Sequence, residues 1–151
     1  MSAPAASPLP APPVSAGARA LLAVMGLTTF GFGGAYLVAP QRMAALGGIA
    51  ITRAAAEAEL RGYYGGLQVG MGVLFFLGLR FPAVARAGLT AAAILFAGNG
   101  LGRLLGIALA GAVDSFNASG VLFELGFSVA AALLLRKQPT SVGASGAQGR
   151  T

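Results

Sequence analysis

Four apolar stretches of near-membrane length divide this chain, and they constrain its fold more than any other feature. They run from about Ala18 to Ala39, Leu60 to Leu79, Ala87 to Val113 and Ala118 to Leu135. At about 1.5 Å of rise per residue, roughly 20 helical residues cross the 30 Å hydrocarbon core of a bilayer. Each stretch meets that length, the fourth narrowly. Of the 151 residues, 9% are charged and 56% hydrophobic, with mean hydropathy +0.79. A soluble domain carries about 25% charged residues, so this chain has too few to cover a water-facing surface. Its 24 glycines fit the same reading. In a soluble helix each would cost about 1 kcal/mol, whereas in lipid small residues let helices approach closely. Short loops between long helices make neighbours antiparallel. The expected fold is therefore all-α, an integral membrane four-helix up-down bundle over residues 18–137, spanning at 18–39, 60–79, 87–113 and 118–135.

The flanks read differently. Pro4, Pro8, Pro10, Pro12 and Pro13 crowd the first 17 residues, and that density predicts a disordered, partly polyproline tail. The apolar run that follows is too long for a signal-peptide core, so the tail is expected to stay attached. The Gly/Ser-rich segment 138–151 is expected to be a second disordered tail. Between the first two spans, Gln41–Leu46 suits a short interfacial helix stopped by Gly47 and Gly48. Thr52 is a plausible N-cap for the residues entering the second span. Glu57 and Arg61, four apart, are placed for a pair on the helix surface. Asp114, Ser115 and Asn117 suit the cap of the last helix better than Asn117-Ala118-Ser119 suits a glycosylation acceptor.

The chain has neither cysteine nor histidine. That removes disulfides, thiol chemistry, the commonest metal ligand and the commonest general base. The expectation is no catalytic residue, no metal and no cofactor, and a function leaning away from enzymes. The net charge of +6 comes from bases dispersed singly between apolar runs, which argues against nucleic acid as a partner. They read better as topology signals. With both termini inside, Arg19, Arg80, Arg86, Arg136, Lys137 and Arg150 face the cytoplasm, while Arg42, Arg53 and Arg61 lie toward the outside; the Lys/Arg bias favours this N-in/C-in arrangement.

Polar groups inside a span are expensive and mark sites by default. The second span carries Arg61, Tyr64 and Gln68 on one face if the helix is regular; the third carries Asn99 and Arg103 at i, i+4; the fourth carries Glu124. By helical rise, Gln68, Arg103 and Glu124 all fall roughly 9–15 Å below the same surface. Arg103 and Glu124, opposite in sign at one depth, are best read as a pair, with Arg61 above them snorkelling or reaching down to Glu124. Such a pair either fixes helix register, as buried ion pairs do elsewhere, or belongs to a site for a small anionic or lipid-like ligand. Gly62, Gly66 and Gly70 form one small-residue stripe and Gly98, Gly102 and Gly106 another. Their expected use is packing of the second span on the third, with homodimerisation the alternative.

The run Glu59-Leu60-Arg61-Gly62-Tyr63-Tyr64-Gly65-Gly66-Leu67-Gln68, followed by Gly102-Arg103 and Glu124, resembles the bacterial DUF4345 family. The resemblance covers residues 18–137. It implies a small four-helix protein of a bacterial inner membrane, with Arg61, Gly65, Gly66, Gln68, Gly102, Arg103 and Glu124 as the matching polar and small positions. It implies no activity. Three classes of function stay open: a non-enzymatic membrane protein with a structural or ligand-binding polar cluster, a small oligomeric transporter or channel, and an accessory subunit of a membrane redox complex. The lipid bilayer is the one partner all three share.

Overall fold

The computed structural model describes residues 13–137; apart from residues 13–17, the two tails expected at 1–17 and 138–151 lie outside the described residues. All regular structure among the described residues is helical. Helix α1 (Ala16–Val38) starts on Ser15, whose hydroxyl accepts from the Ala18 amide at 3.3 Å. It stops two residues before Pro40, because proline pushes the preceding residue out of the helical region; Ala39 sits at φ −136°, ψ 61°. Pro40 then opens α2 (Pro40–Leu46), which ends at Gly47, and Gly48 takes the left-handed φ of 71°.

The second long rod is composite. Helix α3 (Ala54–Leu60) passes without a break into a π-helical turn over Arg61–Gly66 and then α4 (Leu67–Arg80). The turn closes with Leu67 donating to the carbonyl of Gly62, five residues back. Arg53 stands at the N-cap of α3, without a side-chain cap, so Thr52 does not serve there. Helix α5 (Pro82–Ala110) begins on proline and ends where Gly111 adopts φ 65°. Helix α6 (Ser115–Arg136) begins on Asp114. The long helices thus reach beyond the expected limits at most ends. Pro82 starts the third at N1, where its missing N–H costs nothing. Four helical segments, Ala16–Val38, Ala54–Arg80, Pro82–Ala110 and Ser115–Arg136, are long and apolar enough to cross a membrane.

Packing is uneven along the bundle. The closest pairs are α1 with α4 and α5 with α6. The shared core joins Leu22 and Met25 of α1, Phe75 of α4, Leu89, Ala92 and Phe96 of α5 and Ala131 of α6. These residues lie in the half nearest the α4–α5 turn, so the hairpins are joined there by apolar contact. In lipid that contact is worth its van der Waals fit, with little hydrophobic drive between helices. The opposite half holds Arg61, Arg103, Asn117 and Glu124.

The two predicted glycine stripes do not pack the spans together. A side chain built at Gly62, Gly70, Gly98, Gly102 or Gly106 meets nothing within 4 Å, and at Gly66 it meets only the Arg61 carbonyl at 3.8 Å. Close approach falls to other glycines. On α1 and α4, Gly33 lies against the Gly65 carbonyl and the Val69 amide, and Gly72 against the Phe30 backbone. On α5 and α6, Gly100 faces Leu125 and Glu124. The π turn adds a residue to the second rod, so face assignments made on a regular helix slip by one: Gly65 is buried and Gly66 is exposed. On α5 the cause is angular. Residues advance about 100° each, so Gly98 and Gly102 lie well away from the Phe96–Gly100–Arg103 face.

Candidate functional site

Arg103 projects from the last turns of α5 toward α6. Its Nε donates to Oε2 of Glu124 at 3.0 Å and its Nη2 to Oε1 at 2.9 Å, a two-pronged pair. Nη1 donates to Oδ1 of Asn117 at 2.9 Å. Two glycines make this geometry available. Gly100 lets α6 close on α5 at the level of Glu124, and a Cβ at Gly120 would stand 2.8 Å from Nε and 2.9 Å from Cζ of Arg103. The guanidinium therefore lies flat across α6 at a position where no side chain intervenes. Glu124 is 10% exposed and Arg103 27%, and two-pronged carboxylate–guanidinium bonds are the strong kind.

The chain of hydrogen bonds continues to the surface. The Asn117 amide nitrogen donates to Oδ2 of Asp114, and Oδ1 of Asp114 accepts from the Asn117 backbone at 2.8 Å. These bonds, the backbone one first, hold the exposed Asp114 carboxyl below the usual carboxylate range. Asp114 thereby caps α6 while its partner Asn117 orients Arg103. The Phe116 ring lies 6.0 Å from the Arg103 guanidinium and abuts Gly47, which brings the α2 corner over the start of α6.

The other sequence candidates divide. Arg61 does not reach Glu124. It pairs with Glu57 and donates from Nε to the carbonyl of Leu37 at 3.0 Å, closing an open end of α1. Glu57 also accepts from Gln41 at 2.8 Å, so one carboxylate ties α2, α3 and the π turn together. Gln68 packs its stem against Gly33, and neither its side chain nor that of the exposed Asn99 makes a hydrogen bond among the described residues. Neither joins Arg103. Tyr64 stacks on Tyr36 of α1, ring centres 5.1 Å apart and planes 26° apart.

Tyr36 is the residue sequence reasoning missed, because the first span carries no charge beyond its edge. It is 2% exposed, yet its hydroxyl has no hydrogen-bond partner among the described residues. The one available signal was the helical spacing of Gly33 and Tyr36, three apart on α1. Among the described residues, no three His, Cys, Asp or Glu gather as a metal site.

Four helices long and apolar enough to cross a membrane, two of them joined by a carboxylate–guanidinium pair, fit a small helical membrane protein. The chain belongs to the family described as a domain of unknown function, DUF4345, which it matches over residues 17–135. No curated protein and no solved structure matches it.

Proposed function

We propose that this is a non-enzymatic protein of the bacterial inner membrane, with both termini cytoplasmic, whose polar cluster pins α5 to α6 and presents its unused donors to a small anionic or lipid-like ligand. The orientation rests on the bases. Arg19, Arg80, Arg86, Arg136 and Lys137 all belong to the end where α1 starts and α6 finishes, and such an excess marks the cytoplasmic side. A reporter fused after Arg150 reads cytoplasmic on this view, and a periplasmic signal overturns it.

The observation that carries the ligand reading is the donor count. A guanidinium has five N–H groups, and three of those on Arg103 are used. Two remain, and the hydroxyl of the buried Tyr36 has no hydrogen-bond partner among the described residues either. Arg103 is 27% exposed, so its two free N–H groups are open to an oxygen acceptor. Glu124 already offsets the Arg103 charge, so the ligand is held chiefly by hydrogen bonds to oxygen.

Tyr36→Phe separates this from a purely structural role. The hydroxyl bonds to nothing among the described residues, so its removal leaves the unfolding free energy within about 0.5 kcal/mol. Mass spectrometry of gently extracted protein finds a bound molecule in the native chain and a reduced occupancy in Tyr36→Phe. A native chain that carries nothing, or a variant that keeps its full load, defeats the reading.

A further inference from the structure

The bundle divides into two bodies: helices α1 to α4 with the π turn form one, and α5 with α6 the other. Ser15 aside, every side-chain hydrogen bond among the described residues stays inside one body. Gln41 and Arg61 meet Glu57 in the first, while Arg103 meets Glu124 and Ser128 the Ala93 carbonyl in the second. Ring contacts divide the same way, Tyr36 with Tyr64 and Phe96 with Phe123 and Phe127. What joins the bodies is apolar and lies toward the α4–α5 turn, where Phe81 alone links the two helices. A Cβ at Gly78 would stand 3.2 Å from Cα of Ala85, and one at Gly88 3.2 Å from Leu22. At the far end the α2 corner touches α6, where a Cβ at Gly47 would stand 3.2 Å from the Phe116 ring.

From this division we infer that the two bodies part at the far end, pivoting on the apolar packing at the α4–α5 turn, with Phe116 against Gly47 as the latch. Between helices in lipid there is little hydrophobic drive. Only van der Waals fit opposes separation, and that fit is concentrated at the turn. No side-chain hydrogen bond breaks when the far ends move apart. Arg103 keeps Glu124 and Asn117 on its own side, and Arg61 keeps Glu57 and the Leu37 carbonyl on the other. Hinges lie where a few residues at the ends of elements absorb the backbone change. Phe81 is such a residue, extended at φ −120°, ψ 108° between two helices. A swing of about 10° over the roughly 40 Å of α5 moves its far end about 7 Å. The body that holds Tyr36 thereby moves relative to the one that holds Arg103, so a site that draws on both opens and closes with the swing. The motion follows from the packing alone and does not depend on a ligand.

The chain has no cysteine, so pairs of introduced cysteines carry spin labels without background. Double electron–electron resonance on three such pairs, in the full chain in lipid nanodiscs, tests the inference. Tyr63→Cys with Leu109→Cys spans the two bodies at the far end, and Leu77→Cys with Leu133→Cys spans them near the α4–α5 turn. Val38→Cys with Tyr63→Cys lies within one body, and all five side chains are exposed. The far pair gives a distance distribution about 7 Å broader than the other two, the travel of a swing of about 10°. Phe116→Ala lengthens the far distance and leaves the other two as they were, which shows both bodies still folded. A far pair as narrow as the other two overturns the inference, as does a far distance that Phe116→Ala does not change. A Phe116→Ala chain in which all three distances shift alike makes the ring part of the fold and no latch, and overturns it equally.

Discussion

Glu124→Ala is expected to destabilise the folded bundle by about 3–5 kcal/mol, the cost of leaving one partner of a buried ion pair behind. Two of the three bonds that hold the Arg103 guanidinium end on Glu124. Without them a permanent charge stays among helices, with only the Asn117 carbonyl oxygen to receive it. Equilibrium unfolding in mixed micelles reads the loss directly. Arg103→Leu is less damaging, because it takes away the permanent charge that Glu124→Ala strands and that an arginine cannot shed. The double variant Arg103→Leu, Glu124→Leu then costs less than the sum of the two single changes, since it leaves no uncompensated charge. Strict additivity would mean that the two side chains touch without depending on each other, and the cluster would lose its role as the pin between α5 and α6.

This pair was legible in the sequence because depth in a membrane helix is simple arithmetic. Arg103 counted back from the end of α5 and Glu124 counted in from the start of α6 reach one level, and a charge there has few alternatives to its opposite. The same arithmetic fails for Arg61. Its level is correct, but the π turn that begins at Arg61 changes which way the following residues face, and nearer acceptors, Glu57 and the Leu37 carbonyl, take its donors. A π turn leaves no mark in an apolar pattern, because it preserves composition and alters only phase. Tyr36 was invisible for another reason. Its place beside Tyr64 follows from the packing of α1 on α4, and nothing local to the first span signals it. Asn117 was read as part of a helix cap, which it is, but its amide faces two ways: nitrogen to Asp114 and oxygen to Arg103. A residue's second partner, contributed by another helix, is the part of a membrane site that a linear pattern conveys least.

The glycines offer the sharpest separation of pattern from packing. Gly72→Ala is expected to destabilise the α1–α4 pair by about 1–3 kcal/mol, the usual range for overpacking. Its new methyl would stand 2.7 Å from Cβ and 2.9 Å from the backbone nitrogen of Phe30. Backbone cannot swing aside as a side-chain tip does, so the two helices must move apart. Gly33→Ala meets the same obstacle on the other helix, 2.7 Å from the Gly65 carbonyl oxygen. Gly70→Ala and Gly98→Ala, drawn from the two stripes that the sequence made conspicuous, meet nothing within 4 Å. They are expected to be neutral, or to stabilise by up to about 1 kcal/mol through helix propensity. Unfolding midpoints of the four variants in one detergent rank them directly. If Gly98→Ala proves as harmful as Gly72→Ala, the outward stripe on α5 is itself a packed surface. Its partner is then another copy of the chain, and the loss appears as a fall in oligomer mass at constant helix content.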